Sequence, residues 1–265
     1  MLRVLVSGFP GRMGTQVVKA VTEAADMELV AGFSDVDQPD VLLNGRPLAP
    51  AFTDLAQAIE QTRPDVLVDF TLPRAVEGNL RVALSLGIDC VVGTTGLTAQ
   101  TLESLIPLAP SGTTLFVAPN FTTGAVLMME FAKVAAKYFP DAEVIEFHHN
   151  NKVDAPSGTA IKTAQGIAAA RAQAGLRSSA PGKETELPGN EGARGDAVEG
   201  VPVHSVRSDG YVAHQEVIFG SAGQTLTLRH DSIDRASYMP GVLLAIRSVG
   251  ERSGLIIGLE NLMDL

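Results

Sequence analysis

The first half of the chain alternates short apolar runs with segments of helical period, and this feature limits its fold most strongly. The runs cover residues 2–7, 28–34, 65–71, 89–94 and 114–118, and the helical segments cover 12–25, 53–62, 74–86 and 98–107. Near-continuous apolar strands separated by helices indicate a parallel sheet with helices on both faces. The sequence therefore predicts an α/β fold with a doubly wound, Rossmann-type sheet.

The pattern changes after residue 121 and predicts a second, α+β domain. A helix over 124–138, a strand over 143–148 and a helix from Ser157 are followed by runs 201–207, 211–219 and 223–230, which we interpret as antiparallel strands. Gly220 to Gly223 has the composition of a hairpin turn. A last helix, from Met239 to about Glu251, is expected to return to the first domain. We therefore predict a dinucleotide-binding domain of residues 1–121 plus 239–265, and a second domain of residues 122–238 with a mixed or antiparallel sheet.

The composition of the chain limits which partners it can bind and where in the cell it is expected. The chain has 30 acidic and 20 basic residues and a formal charge of -10, which argues against a nucleic-acid partner. No apolar run approaches the roughly 18 residues of a membrane span, and the N-terminus leads directly into a strand. The single Cys90 lies in an apolar run and fits a core position in a reducing compartment. We expect a cytoplasmic protein, with a mobile loop over 175–200, where Gly, Ser, Pro and charged residues accumulate.

A glycine-rich turn follows the first strand. Its sequence is Gly8-Phe9-Pro10-Gly11-Arg12-Met13-Gly14, and a helical segment follows it directly. Glycines let the backbone approach a pyrophosphate, and the unpaired amides of a helix start attract the anion. Since the spacing is Gly-x-x-Gly-x-x-Gly and not the commoner Gly-x-Gly-x-x-Gly, a plain strand–turn–helix corner is the alternative.

Residues at the ends of the later strands extend this candidate cofactor site. Asp35 lies about 20 residues past Gly14, where a carboxylate binds a ribose hydroxyl. Asp35 and Asp37 favour NADH, but Arg12 could meet the 2′-phosphate of NADPH, so the choice stays open. Two further strand ends, Asp69-Phe70-Thr71 and Gly93-Thr94-Thr95-Gly96, are candidates for nicotinamide and ribose contacts or are simple turns.

The segment from His148 to Thr159 concentrates proton donors beside a predicted helix start. On a strand, His148 and His149 point to opposite faces and should have different roles. Lys152 supplies a compact cation, and Ser157 is a candidate N-cap whose following amides, at Gly158 and Thr159, would bind a carboxylate. A surface loop before a capped helix is the plain alternative. A zinc site is disfavoured, because the histidines are adjacent and the one cysteine is distant, and we predict no metal.

Four strings together resemble the 4-hydroxy-tetrahydrodipicolinate reductase family, also called dihydrodipicolinate reductase. They are Gly8-x-x-Gly-Arg-Met-Gly14, Gly93-Thr-Thr-Gly96, Ala118-Pro119-Asn120-Phe121 and His148-His-Asn-Asn-Lys-Val-Asp-Ala-Pro-Ser-Gly-Thr159. The strings fall in the family's order along almost the whole chain, and the last is the most specific of the four.

The resemblance implies an activity, cofactors and residue roles. The reaction would be NADPH- or NADH-dependent reduction of (2S,4S)-4-hydroxy-2,3,4,5-tetrahydrodipicolinate, a small cyclic dicarboxylate, to tetrahydrodipicolinate in lysine and diaminopimelate biosynthesis. His148 and Lys152 would be catalytic, and His149, Ser157, Gly158 and Thr159 would bind substrate. The stretches from Gly8 to Met13, Gly93 to Thr95 and Ala118 to Phe121 would bind the cofactor. A homotetramer would assemble through the sheet of the second domain.

Two other functions remain open at this point. Another imine or amino-acid dehydrogenase of similar architecture would share the glycine turn but should lack the full string from His148 to Thr159. A non-catalytic dinucleotide sensor would tolerate the loss of His148 or Lys152, yet the chain has both.

Overall fold

The structure, a computed structural model, describes residues 1–36, 38, 40–176, 194–263 and 265. These residues divide into two compact units, Met1–Thr123 with Arg235–Asp264, and Gly124–Asp234 with Leu265. Asp37 and residues 177–193 of the loop predicted over 175–200 lie outside the described residues. Among the described helices, none is long and apolar enough to cross a bilayer.

The first unit contains a parallel sheet, a small hairpin and five α-helices. Its strands are β1 (Leu2–Ser7), β2 (Met27–Phe33), β3 (Val41–Leu43), β4 (Arg46–Ala49), β5 (Ala51–Phe52), β6 (Val66–Asp69), β7 (Asp89–Val92), β8 (Thr114–Val117) and β14 (Gly254–Ile257). Its helices are α1 (Arg12–Glu23), α2 (Leu55–Thr62), α3 (Pro73–Ser85), α4 (Ala99–Leu105) and α7 (Met239–Val249).

Seven strands form one sheet in the order β14-β8-β7-β6-β1-β2-β5, and every pairing is parallel. This confirms the predicted Rossmann-type sheet, although β14 and β5 were not predicted. The helix α7 packs against α1 and β7 of this unit. Cys90 is fully buried in its core.

The register aligns the carboxyl ends of the central strands. Ser7 pairs with Phe33 and Asp69, Asp69 pairs with Val92, and Val92 pairs with Val117. The residues that follow these strands therefore lie along one edge, which is where ligands of open α/β sheets bind. Every predicted cofactor-binding residue belongs to this edge.

The second unit is a five-stranded mixed sheet with helices on one face. Its strands are β9 (Asp141–His148), β10 (Asp196–Val198), β11 (Val201–Arg207), β12 (Ala213–Ser221) and β13 (Gln224–Ser232), in the order β10-β11-β9-β12-β13. Its helices are α5 (Thr123–Ala135) and α6 (Gly158–Gln173). Alternate side chains of the sheet, among them Val144, Val217 and Phe219, pack with Ile167 of α6 in one buried core.

Two predictions about this sheet were wrong. The run 201–207 pairs parallel to β9, and not antiparallel, because α6 lies between β9 and β11 in the chain and makes the crossover that a parallel pair requires. Part of the predicted loop, Asp196–Val198, is a strand paired antiparallel with β11. The predicted hairpin is confirmed: Ser221 pairs with Gln224 across a two-residue turn that includes Gly223 at φ +80°.

We predict that Gly14→Ala destabilises the protein by about 1–3 kcal/mol, the cost of overpacking a rigid site. A methyl group at Gly14 would lie 2.1 Å from the carbonyl oxygen of Gly8, which is backbone and cannot move aside easily. Thermal unfolding followed by circular dichroism measures the effect.

The matched control is Gly78→Ala in α3, where nothing lies within 4 Å of the added methyl group. There the helix propensity of alanine should raise stability by about 0.5–1 kcal/mol. Equal melting temperatures for the Gly14 and Gly78 variants would contradict the close packing of the glycine turn.

Candidate active site

The glycine turn makes a tight corner between β1 and α1. Gly8 has φ +80°, and a side chain there would lie 2.6 Å from the carbonyl oxygen of Phe70. The amide of Gly11 donates to the carbonyl of Gly8 at 2.9 Å, and Gly11 is the N-cap of α1 with no side-chain cap. The corner therefore needs glycine at Gly8 and Gly14 for close backbone packing.

This corner fits the pyrophosphate of a dinucleotide. The first amides of α1 have no capping side chain, so they can donate to an anion. Pro10, Gly11 and Arg12 are exposed at the corner, whereas Phe9 is buried, with its ring against Gly32. Met13 is half-buried in the first turn of α1. Sequence reasoning did not anticipate that Phe9 belongs to the core and would reach a nucleotide through its backbone alone.

The ends of β6, β7 and β8 meet through aromatic packing. The ring of Phe70 lies over Gly93, where a Cβ atom would be 2.0 Å from it. Phe70 also packs against Phe121, with ring centroids 5.6 Å apart. Phe121 is buried, so its ring supports Phe70 from within the unit.

The remaining residues of this edge differ in exposure. Thr94 and Ala118 are buried, while Thr95, Pro119 and part of Asn120 are accessible. The side chain of Asn120 accepts a hydrogen bond from the amide of Thr122 at 2.9 Å. The accessible residues are thus the ones whose side chains could contact a nucleotide.

Asp35 and Arg12 both lie exposed at this edge. Asp35 follows the end of β2 by two residues, and Arg12 is the first residue of α1. A carboxylate at such a position can bind ribose hydroxyls, and a guanidinium can bind a phosphate. Because both are present and exposed, these two residues do not by themselves distinguish NADH from NADPH.

In the second unit, the charged centre is Glu146 on β9, whose side chain is fully buried. Arg207 of β11 binds it with two bonds, Nη2 to Oε1 at 2.7 Å and Nη1 to Oε2 at 2.9 Å. His148 contacts Oε2 through Nδ1. The amide of Ser157 donates to Oε1 at 3.3 Å. One carboxylate thus joins two strands and the start of α6.

These contacts keep Glu146 ionised. Burial raises the pKa of Glu146, but hydrogen bonds from His148, Arg207 and Ser205 outweigh it and lower the pKa to about 2. An ionised carboxylate accepts hydrogen bonds only, so Nδ1 of His148 must carry the proton. Nε2 of His148 is therefore the nitrogen left for a reacting group.

The start of α6 offers free amides. The side chain of Ser157 accepts from the amide of Ala160 at 3.2 Å, which confirms the predicted N-cap. The amide of Ile161 donates to the Ser157 carbonyl. The amides of Gly158 and Thr159 have no partner among the described residues, and nothing lies within 4 Å of the position of a Cβ atom on Gly158. This open side suits a carboxylate.

His149 and Lys152 lie just before this helix start. Nδ1 of His149 is buried without a hydrogen-bond partner among the described residues, which is costly unless a ligand satisfies it. The ammonium of Lys152 donates to Asp154 Oδ1 at 2.7 Å, and this bond holds the pKa of Asp154 below its usual value. Asp154 uses one of the three ammonium protons, so two remain for a substrate.

Sequence reasoning missed Glu146 and Arg207. Each is a charged residue at a helix-facing position of a largely apolar strand, where an unpaired charge would be too costly. The cost of burying a charge could have indicated that each residue has a partner. The sequence pattern could not show that Glu146 and Arg207, which are 61 residues apart, are each other's partners. Among the described residues, no group of three or more His, Cys, Asp or Glu side chains could hold a metal ion.

Two family models match consecutive parts of the chain. The model described as "Dihydrodipicolinate reductase, N-terminus" matches residues 2–121, and "Dihydrodipicolinate reductase, C-terminus" matches residues 124–263. Together they span both structural units.

Curated relatives match over their full length. The 4-hydroxy-tetrahydrodipicolinate reductase of Listeria monocytogenes serotype 4b is 48% identical, with 99% of this chain and 100% of the relative covered. The enzyme of the same name from Corynebacterium diphtheriae is 47% identical, with 100% and 99% covered.

Solved structures give the same result. A dipicolinate-bound dihydrodipicolinate reductase from Paenisporosarcina sp. TG-14 is 43% identical and superimposes with a TM-score of 0.86, covering 99% of this chain and all of that one. An amine dehydrogenase from Mycobacterium smegmatis has a TM-score of 0.65 at 15% identity over 96% and 94% of the two chains, which shows a shared fold alone. The two family models together, and relatives that are nearly 50% identical in sequence, cover the chain from end to end. The chain therefore belongs to the dihydrodipicolinate reductase family and is an NAD(P)H-dependent oxidoreductase.

Proposed function

We propose that this chain carries out its family's reaction with the residues described above. It reduces (2S,4S)-4-hydroxy-2,3,4,5-tetrahydrodipicolinate to (S)-2,3,4,5-tetrahydrodipicolinate, using NADH or NADPH, in lysine and diaminopimelate biosynthesis. One hydride and one proton enter, and the hydroxyl group leaves as water. The observation that carries the assignment of roles is the grouping of His148, Arg207 and the start of α6 around the buried carboxylate of Glu146.

The first unit holds the nucleotide, which supplies the hydride when bound. The amides of Arg12 and Met13 bind the pyrophosphate at the start of α1, while the amide of Gly11 holds the corner through the Gly8 carbonyl and Gly8 permits the close approach. Phe9 and Pro10 shape this corner, and Asp35 binds the ribose. The other strand ends surround the nicotinamide half; the residues concerned are Phe70, Gly93, Thr94, Thr95, Ala118, Pro119, Asn120 and Phe121.

The second unit holds the dicarboxylate. Amides of Gly158 and Thr159 bind one carboxylate, with the Ser157 cap keeping the turn in shape. His149 donates or accepts at the same molecule, which would satisfy its buried Nδ1. The ammonium of Lys152 adds positive charge beside the dicarboxylate.

Proton delivery falls to Lys152 or His148. Hydride addition to a conjugated acceptor leaves negative charge on the ring, which a positioned acid must neutralise. We assign the proton to Nζ of Lys152, because Asp154 uses only one of its three protons. Nε2 of His148, the ring nitrogen that is not bonded to Glu146, accepts a hydrogen bond from the same region of the substrate when the ring is neutral, and it protonates that region only when the ring is an imidazolium.

The sheet of the second unit suits an assembly of several chains. Its helix-free face carries apolar side chains that are only half-buried, including Ile145, Phe147 and Ile218. We therefore keep the homotetramer as a prediction, together with the cytoplasmic location and the absence of nucleic-acid and membrane partners.

The first test couples the purified protein to a dihydrodipicolinate synthase that supplies the substrate. Absorbance of NADH and of NADPH is followed in separate reactions. We expect oxidation of at least one nucleotide only when the synthase is present, and inhibition by dipicolinate, the ligand bound to the solved relative. If neither nucleotide is oxidised, the proposed function is wrong.

The second test is Lys152→Ala, which should lower kcat by about 10²-fold or more, the scale of a lost general acid. The control is Lys162→Ala, an exposed lysine of the same unit on α6, which should keep wild-type turnover. Lys152→Arg separates charge from proton transfer: it should keep KM close to wild type while kcat stays low. Wild-type turnover of the alanine variant would refute the role given to Lys152.

A further inference from the structure

A second buried carboxylate, Asp69, lies at the end of β6 in the first unit. Its side chain is inaccessible to solvent and follows three buried apolar residues, Val66, Leu67 and Val68. Taking a carboxylate out of water is costly, and an apolar residue on this strand would avoid that cost. The acid therefore calls for a reason other than stability.

Four hydrogen bonds from described residues reach the Asp69 carboxylate, and all four come from uncharged donors. Oδ1 accepts from the amide of Thr71 at 3.0 Å, from the hydroxyl of Thr71 at 2.7 Å and from the hydroxyl of Thr94 at 2.7 Å. Oδ2 accepts from Asn79 Nδ2 at 2.8 Å. Asn79 also donates to the hydroxyl of Ser7 at 3.2 Å.

Two of these donors, and the Ser7 hydroxyl that Asn79 links to the carboxylate, belong to three separate segments of the cofactor edge. Thr71 follows β6, Thr94 follows β7, and Ser7 is the last residue of β1, immediately before Gly8. The amide of Gly93 also donates to the Asp69 main-chain carbonyl at 2.9 Å. The segments carry the glycine corner, Phe70 and the Gly93–Thr95 loop, so one side chain fixes their relative positions.

We infer that Asp69 is a positioning residue for the nucleotide site, which holds the Thr94 loop and the end of β1 in the geometry that binds NADH or NADPH. The inference rests on the proposed function, because it needs a nucleotide at this edge. It does not place Asp69 in contact with the nucleotide. Asn79 acts with Asp69, since its amide bridges the carboxylate to Ser7.

The test measures NADH binding by isothermal titration calorimetry, without turnover. Asp69→Asn keeps the shape of the side chain but turns an amide donor toward Asn79, which is also a donor. We expect the Kd for NADH to rise about 10-fold or more, the scale of a lost charge-assisted hydrogen bond.

A double variant tests the geometry directly. In Asp69→Asn with Asn79→Asp, the amide and the carboxylate exchange places, so the pair can bond again while Thr71 and Thr94 still donate to the remaining oxygen. We expect this exchange to recover most of the lost affinity. If the charge of Asp69 only stabilised the fold, the exchange would not be expected to restore nucleotide binding.

The matched control is Asp89→Asn at the opposite edge of the same sheet. Asp89 is the first residue of β7, and its carboxylate accepts from the amide of Thr114 at 2.7 Å. Its substitution should change the melting temperature but not the Kd for NADH.

The outcomes separate the two claims. If the wild-type protein does not bind NADH or NADPH, the proposed function fails. If it binds, and folded Asp69→Asn binds with the same Kd, the inference about Asp69 is overturned. If Asp69→Asn does not fold, Thr94→Val is the variant to measure. It removes the hydrogen bond from the Thr94 hydroxyl to the Asp69 carboxylate and leaves the other three donors in place. A wild-type Kd for NADH in this variant would also overturn the inference.

Discussion

The buried carboxylate of Glu146 is the interaction on which the arrangement of the second unit depends. It accepts from Arg207 on both oxygens, from His148 and from the amide of Ser157. The strand alternation places Glu146 and His148 on one face of β9, and the crossover through α6 brings Arg207 of β11 beside them. A buried charge of this kind stabilises little by itself, but losing one partner would leave the other charge unpaired. The main effect of the Glu146 carboxylate is therefore geometric, because it holds both the imidazole of His148 and the start of α6.

In the first unit, a buried carboxylate again connects separate segments, but its hydrogen-bond partners are uncharged. Its parallel register brings several strand ends to one edge, and Asp69 connects them through neutral donors. Glu146 is paired with a cation, whereas the partners of Asp69 carry no charge. In both units, a buried acid near the carboxyl end of a strand is bonded to neighbouring segments that carry the proposed binding residues.

Local pattern was sufficient for much of the fold. The apolar runs located the five longer or central strands of the parallel sheet, and the glycine spacing located the corner between β1 and α1. Ser157 could be recognised as an N-cap because capping depends on neighbouring residues only. Strand pairings between segments that are distant in the chain were harder to predict from the sequence. The short strands β5 and β14 have too few residues for a periodic signal, and the direction of β11 is set by a crossover and not by its own sequence.

The candidate site was predictable to a similar degree. Residues from His148 to Thr159 are close in sequence, so their grouping followed from one string. Glu146 and Arg207 were missed, and Asp69 was named only as part of a strand end that could contact the cofactor. The role of a buried charge depends on hydrogen-bond donors that come from distant parts of the chain. The burial of Phe9 and Phe121 was missed for the same reason: a position next to a cofactor loop does not reveal which way the side chain packs.

The central claim, that Glu146 fixes the imidazole of His148, can be measured by nuclear magnetic resonance on protein labelled with ¹⁵N in its histidines. Long-range ¹H–¹⁵N correlations identify the protonated ring nitrogen, and a His148→Asn spectrum assigns the signal among the five histidines. The neutral ring of His148 should carry its proton on Nδ1, and Glu146→Gln should remove this preference. Glu143→Gln, on the same strand but bonded to His204, should leave it unchanged. A neutral His148 protonated on Nε2 in the wild-type protein would contradict the account.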